Sequence, residues 1–335
     1  MRVSLVSRRE MLAVSMGGLA LASFPAMARP AWARTATEDQ DDALESAVDA
    51  IVAGFMARFE TPGIGVAVVR PDRAPFLKGY GVRTMGRPGA VDVHTRFGIA
   101  SNSKSFTAAS LAMLVDEGKI AWEDPVTRHL PEFRMYDPAV TAMMTVRDLL
   151  VHRSGLPLGA GDLLYFPQST HSAADVLAAL QYLHPARGFR AGYDYDNILY
   201  IVAGILLERV SGMSWRAFVT QRILTPLGMT DAVASRALLS TDNVAGRHAR
   251  LGPPVRGMGP MEVIQPDESP LIDAGAGINA SVSDIAHWLQ VQLGHGATPD
   301  GTRLWSVERA TDMWTPQTLV SSSDGPTPEN PARPV

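Results

Sequence analysis

The chain has 335 residues, 46% of them hydrophobic, which is enough apolar material for one large domain or two smaller ones. Its formal net charge of −4 provides no basic surface of the kind that binds nucleic acid. Cysteine is absent, so disulfides and thiolate metal sites are excluded. The eight histidines show neither the His-x-x-x-His nor the His-Glu-x-x-His spacing of a zinc hydrolase.

The first 33 residues are typical of an export signal. A twin-arginine pattern, Arg8-Arg9, precedes a mildly apolar run at residues 11–27. Cleavage is expected near Ala28 or Ala33, which predicts a periplasmic or secreted protein carried by the twin-arginine export machinery. The alternative is a transmembrane anchor. The run is short for a span and is interrupted by Gly, Ser and Pro, so no stable membrane anchor is expected.

Hydrophobic periodicity predicts a helix and a β-hairpin first, and mainly helices after them. The first helix is expected at residues 37–59, and the hairpin strands at residues 64–70 and 76–82. Further helices are expected at residues 145–151, 172–183, 197–210, 214–224, 279–293 and 306–314. Residues 225–280 show little periodicity, which is typical of a functional or lid-like segment. The Pro- and Ser-rich residues 321–335 predict an unstructured tail.

Ser101 and Lys104 lie at the start of a further predicted helix, which Ser101 or Ser103 is expected to cap and Gly118 to end. Residues three apart share a helix face, so the amine can reach the hydroxyl and activate it as a nucleophile. Only three of the 30 Lys and Arg residues are lysines. Most cations of the chain are arginines, which cannot release their proton, whereas a desolvated lysine can. A lysine three residues after a serine therefore indicates a candidate base. The alternative is a solvated lysine, since Ser-x-x-Lys is a common pattern.

A second candidate motif, Tyr195-Asp196-Asn197, directly precedes a strongly apolar helix. It presents a phenol and an amide close together. A phenol near an ammonium group can relay protons, and an amide can hold both a lysine and a substrate carbonyl. The alternative interpretation is a tyrosine packed at a helix start, with Asn197 as the cap.

Together, Ser101-x-x-Lys104 and Tyr195-x-Asn197 resemble the paired motifs of the serine β-lactamase-like hydrolases. This family includes class C β-lactamases, D-alanyl-D-alanine carboxypeptidases and related esterases. Residues 145–157, 226–229 and 275–285 are similar to other stretches of the family, in the same order. The resemblance covers roughly residues 37–317.

The resemblance implies a role for each motif residue. Ser101 would be the nucleophile and Lys104 its general base, with the Ser101 backbone N–H as one oxyanion donor. Tyr195 would pass a proton to the leaving group, and Asn197 would bind the substrate carbonyl and hold Lys104. No metal or organic cofactor is implied. His152, with Ser154, falls in a family stretch that we interpret as a structural turn and not as part of a catalytic triad.

The implied fold is α+β, with an antiparallel sheet flanked by helices, a mostly helical domain, and the site in the cleft between them. The predicted domains are a signal peptide at residues 1–33, an α/β domain with an incomplete sheet at residues 34–94 and 281–320, a mostly helical domain carrying both motifs at residues 95–280, and the tail at residues 321–335.

The family's third motif, Lys-Thr-Gly or His-x-Gly on a late strand, has no match after Tyr195. We therefore expect a C-terminally truncated relative that lacks the last strands and is unstable or weakly active. The leading hypothesis is an exported serine hydrolase that forms an acyl-enzyme with an ester, β-lactam or peptide substrate. One alternative is a D-Ala-D-Ala carboxypeptidase acting on cell-wall peptides. Another is a non-catalytic relative with a binding role.

Overall fold

The computed structural model describes residues 36–71, 73–252, 258–265 and 269–319. The predicted signal segment and the predicted tail lie outside the described residues. The chain divides into two compact units, Met1–Asp49 and Ala50–Val335, and the site residues belong to the second. The finer domain boundaries expected from the sequence stay a prediction.

The described helices include seven at predicted positions and three short ones, at residues 126–129, 138–143 and 273–276, that periodicity did not predict. Their bounds are α1 Ala36–Phe59, α2 Ser103–Asp116, α3 Val126–His129, α4 Pro138–Met143, α5 Ala173–Ala179, α6 Ile198–Ser211, α7 Trp215–Val219, α8 Asp273–Ala276, α9 Val282–Leu293 and α10 Val307–Trp314. Several begin at a serine whose side chain accepts a backbone N–H, as N-capping requires. Ser172, Ser214 and Ser306 cap α5, α7 and α10 in this way.

The described strands form antiparallel pairs. These pairs are β1 (Gly63–Val68) with β2 (Phe76–Gly81), β3 (Phe97–Gly98) with β6 (Asn279–Ala280), and β4 (Arg247–Gly252) with β5 (Met258–Ile264). The predicted hairpin is therefore confirmed as β1–β2. Gly79 in β2 has a clear steric role, because a Cβ there would lie 2.3 Å from the backbone oxygen of Val91.

Helix α2 lies at the centre of the core, in contact with α6, α7, α8 and α10. Phe106 on α2 is fully buried and stacks on Trp288 of α9, with ring centroids 3.9 Å apart. Thr107 donates a hydrogen bond to the carbonyl of Ala274 (2.6 Å) and accepts one from the indole of Trp215 (2.9 Å). Burying one large apolar side chain contributes about 1.5–3 kcal/mol, so this packing fixes the helix that carries Lys104.

The start of α2 differs from the prediction. Asn102 is the N-cap residue, and no side chain forms a capping hydrogen bond. Ser101 lies in a preceding 3₁₀ turn, Ala100–Asn102, and Ser103 is the first residue of α2. The Ser103 hydroxyl accepts the backbone N–H of Ile278 (3.1 Å), so a tertiary contact replaces the predicted local cap.

Three other predictions need correction. Residues 145–151 form only a 3₁₀ turn, Arg147–Leu149, because Thr145 and Asp148 close a local hydrogen-bonded loop there. The helix expected from residue 279 begins at Val282, since Ser281 caps it and β6 takes the preceding residues. The weakly periodic residues 225–280 contain β4, β5 and α8.

No single helix in the described ranges has both the length and the apolarity to cross a membrane. Helix α6 and the segment Trp215–Leu224 meet those limits only as a pair, and they are bent by 76° at the break between them.

Candidate active site

Ser101 lies on an exposed turn at the entrance to α2. The preceding residue, Ala100, has the left-handed conformation, with φ of 46°. For an L-residue this conformation costs on the order of 1–2 kcal/mol, so the surrounding structure must hold it in place. The preceding segment does so: β3 pairs with β6, and the N–H of Ile99 donates to the carbonyl of Ile278 (3.0 Å).

Lys104 is 7% exposed, and its Nζ meets three oxygens. They are Ser101 Oγ at 3.0 Å, Asn197 Oδ1 at 2.9 Å and the Gly275 carbonyl at 3.1 Å. The amide and carbonyl oxygens only accept, so they take two N–H groups. An ammonium then donates its third N–H to Ser101, whereas a neutral amine directs its lone pair there. One proton can therefore move between Oγ and Nζ while the other two bonds are kept.

Tyr195 completes the group. Its hydroxyl donates to Ser101 Oγ at 2.6 Å, across 94 residues of sequence. Lys104 Nζ lies 5.1 Å from the centre of the Tyr195 ring and 5.2 Å from that of Tyr200. The structure thus brings together Ser101, Lys104, Tyr195 and Asn197, the four residues that the sequence singled out.

The Asn197 amide lies beside two residues that the sequence analysis missed, Tyr165 and Asp162. The Tyr165 hydroxyl donates to Asp162 and interacts with the Asn197 side chain. Burial, and to a smaller extent the hydrogen bond to Asp162, raise the pKa of Tyr165. The hydroxyl therefore keeps its proton. A phenol committed to Asp162 can accept the amide N–H of Asn197, which leaves Oδ1 facing Lys104.

The Gly275 carbonyl is a third contributor that sequence reasoning missed. A backbone oxygen has no residue-type signature, although Gly275 does belong to one of the family-like stretches. A Cβ at this position would lie 3.1 Å from Ile272 Cδ1 and 3.6 Å from Lys104 Nζ. A larger residue would therefore press on Ile272 and come into van der Waals contact with the amine.

A buried carboxyl lies between the two site residues Tyr195 and Asn197 in the sequence. Asp196 is 1% exposed, accepts the Ser154 hydroxyl (3.0 Å) and accepts the N–H of Leu199 (3.2 Å). Burial raises its pKa to about 7, and the Ser154 contact lowers it in part. The pKa of nearby His152 is lowered, to about 4, first by burial and then by the charge of Lys104.

The raised pKa of Asp196 predicts a pH-dependent stability. The stability that protonated Asp196 contributes to the folded chain is fully present below the unfolded-state pKa of 3.8. It is lost as pH rises through the folded-state pKa of about 7. The lowered pKa of His152 makes the natural chain more stable as pH rises from about 4 to 6.5. The effects of His152 and Asp196 on stability therefore oppose each other over this range. We expect the Asp196→Asn variant to become more stable relative to the natural chain, by roughly 4 kcal/mol, between pH 4 and 8.

Denaturant unfolding of both proteins across this pH range measures that difference directly. The Asn side chain can accept the Leu199 N–H at Oδ1 and donate an Nδ2 hydrogen to the Ser154 hydroxyl, so both contacts keep a partner and the pH-dependent part of the difference reports the ionisation of Asp196. A free-energy difference that stays constant with pH contradicts the assignment.

Comparison with known proteins gives the family. Residues 48–324 match the Beta-lactamase family model. The chain is 30% identical over 252 residues to the unguisins hydrolase of Aspergillus violaceofuscus, covering 70% of this chain and 42% of that protein. It is 26% identical over 248 residues to protein flp of Staphylococcus aureus, covering 73% of this chain and 48% of that protein. It therefore spans less than half the length of these two curated relatives.

A solved structure supports the same assignment. The D-amino acid amidase from Ochrobactrum anthropi SV3 superposes with a TM-score of 0.65 at 25% identity, covering 80% of this chain and 73% of the amidase chain. The expected α+β fold of helices and small antiparallel sheets is confirmed. The family model matches most of the sequence, and the chain belongs to the serine β-lactamase-like family.

Proposed function

We propose that this chain is an exported serine hydrolase that forms an acyl-enzyme on Ser101 with ester or amide substrates, including β-lactam-like amides. One observation carries the proposal. Ser101 Oγ lies 3.0 Å from Lys104 Nζ and 2.6 Å from the Tyr195 hydroxyl. A serine needs an adjacent base to attack a carbonyl, and this geometry supplies a base and a second proton-transfer group.

Acylation starts from the neutral amine of Lys104: Ser101 Oγ attacks the substrate carbonyl carbon, and the hydroxyl proton passes to the Lys104 Nζ lone pair. A C–O bond forms, and the carbonyl oxygen carries the negative charge, with the backbone N–H of Ser101 as one donor to it. The bond to the leaving group then breaks. The departing oxygen or nitrogen takes a proton from Tyr195, and the proton that Lys104 accepted restores the phenol.

Deacylation repeats these steps with water. Tyr195, with Lys104, takes a proton from a water molecule as its oxygen attacks the ester carbonyl. The bond from the carbonyl carbon to Oγ breaks, and Ser101 regains its proton. The products are a carboxylic acid and the free enzyme, so no external co-reactant is consumed.

The relatives support hydrolysis in general. One is named a hydrolase of unguisins, and the structural neighbour is a D-amino acid amidase crystallised with L-phenylalanine amide. The chemistry requires only a carbonyl with a leaving group, which esters, amides and β-lactams share.

Two measurements test this function on the purified chain. Intact mass spectrometry after incubation with a fluorescent penicillin or a fluorophosphonate should show one covalent adduct per chain. Steady-state assays with a p-nitrophenyl ester and a chromogenic cephalosporin should show turnover of at least one. A chain that melts cooperatively but shows neither adduct nor turnover contradicts the proposal and favours a binding role.

Export is part of the proposal and is supported by the twin-arginine pattern at Arg8-Arg9. Its test is cell fractionation in a bacterium with a twin-arginine system. We expect a periplasmic or secreted product whose N-terminus lies just after Ala28 or Ala33. Changing both arginines to lysine should retain the precursor inside the cell, and an unchanged distribution contradicts this route.

A further inference from the structure

His152 holds the chain on both sides of Tyr195. Its backbone carbonyl accepts the N–H of Asp194 at 2.8 Å. Its ring Nδ1 lies 3.4 Å from the N–H of Asp196 and accepts from it. Asp194 and Asp196, the residues before and after Tyr195, are therefore both hydrogen-bonded to His152, which lies 43 positions before Tyr195 in the sequence.

The imidazole also packs directly on the Tyr195 side chain. The two ring centroids are 4.4 Å apart, with a 31° angle between the planes. The imidazole centroid also lies 5.5 Å from the ring centroid of Tyr200 and 5.8 Å from that of Tyr193, the latter in a T-shaped arrangement. A tyrosine ring has two side-chain torsions, and contact with its face restricts both. The histidine thus limits where the phenolic oxygen can lie.

The charge state of His152 suits this contact. Its pKa is lowered to about 4, by burial first and then by the charge of Lys104, so the ring is neutral near pH 7. Because Nδ1 accepts an N–H, the ring proton resides on Nε2. A neutral ring adds no second positive charge beside the lysine. The backbone of His152 has the left-handed conformation, with φ of 55°.

We propose that His152 is a positioning residue, which holds the Tyr195 hydroxyl on Ser101 Oγ for proton transfer to the leaving group. This inference rests on the proposed hydrolase function. It adds a role for the His152 side chain to the structural turn that the sequence predicts. It assigns the histidine no proton transfer of its own, because its effect passes through the tyrosine.

A double-mutant cycle between His152 and Tyr195 tests the proposal. His152→Asn removes the ring, and asparagine tolerates left-handed backbone better than most residues. With an ester substrate we expect kcat to fall at least tenfold and KM to change less than about twofold, since the tyrosine acts in the chemical steps. In a Tyr195→Phe background the same change should lower kcat less than about twofold, because no hydroxyl remains to be positioned.

A matched control is His295→Asn, because His295 is exposed and also has a left-handed backbone, with φ of 50°. It should leave kcat unchanged. Should His152→Asn fail to melt cooperatively, His152→Phe carries the same cycle. It keeps an aromatic face and loses Nδ1, and we expect a kcat loss that again disappears in the Tyr195→Phe background.

The outcomes separate this inference from the function on which it rests. Equal kcat losses in both backgrounds, or an unchanged kcat in a folded variant, overturn the positioning role while the natural chain still turns over substrate. Absence of any acylation in the natural chain overturns the proposed function and this inference with it.

Discussion

Replacing Ser101 with alanine is expected to eliminate the covalent adduct and to lower kcat by about a thousandfold or more, since the attacking oxygen is gone. The substitution removes one exposed hydroxyl and leaves the contacts of Lys104 with Asn197 and Gly275 in place. We therefore expect the melting temperature to stay within a few degrees of the natural value. The measurements are steady-state kinetics with an ester substrate and intact mass after probe treatment.

Ser105→Ala is the matched control for this variant. Ser105 is also exposed and lies one turn along, on α2, where its hydroxyl donates to the carbonyl of Asn102 (2.7 Å). Its loss should change kcat by less than about threefold, because it touches none of the four site residues. Comparable kcat losses in the two variants contradict the assignment of the nucleophile.

Replacing Lys104 is the second change with a large expected effect. Lys104→Met keeps the length of the side chain but removes the base, so we expect kcat to fall by about a hundredfold to ten-thousandfold. Lys104→Arg keeps a positive charge that cannot release its proton, and it should lose activity to a similar extent. Acylation requires a group that accepts the Ser101 proton, and the permanent positive charge of an arginine cannot do so.

Stability measurements distinguish these effects from unfolding. In Lys104→Met, Asn197 Oδ1 and the Gly275 carbonyl lose a donor, which costs about 1–3 kcal/mol for each unsatisfied group. The control is Lys119→Arg, at a half-exposed lysine that pairs with Glu117 at 2.8 Å, and it should leave activity unchanged. An active Lys104→Arg variant contradicts the role of Lys104 as a base.

The sequence predicted the local half of the site well. Ser101 and Lys104 are three residues apart, so their contact follows from helical geometry near the start of α2. Tyr195 lies 94 residues from Ser101, and no local pattern relates the two. Only the resemblance to a family placed them in one site, and the structure shows the contact.

What the sequence could not predict depends on tertiary contacts. The Gly275 carbonyl and Tyr165 act through groups that no spacing rule identifies, and Ser103 bonds to Ile278 in place of capping its own helix. The strands β4 and β5 were missed because Gly and Pro interrupt any alternation there. The helix beginning at Val282 was placed too early because periodicity continues through β6.

The most direct test of the account is to locate the covalent adduct. Proteolysis of the labelled natural chain, followed by tandem mass spectrometry, assigns the added mass to one side chain. We predict that it is carried by Ser101 Oγ, and that Lys104→Met reduces the labelling rate. An adduct on any other residue, or undiminished labelling of the Ser101→Ala variant, contradicts the claim that Lys104 and Tyr195 activate this serine.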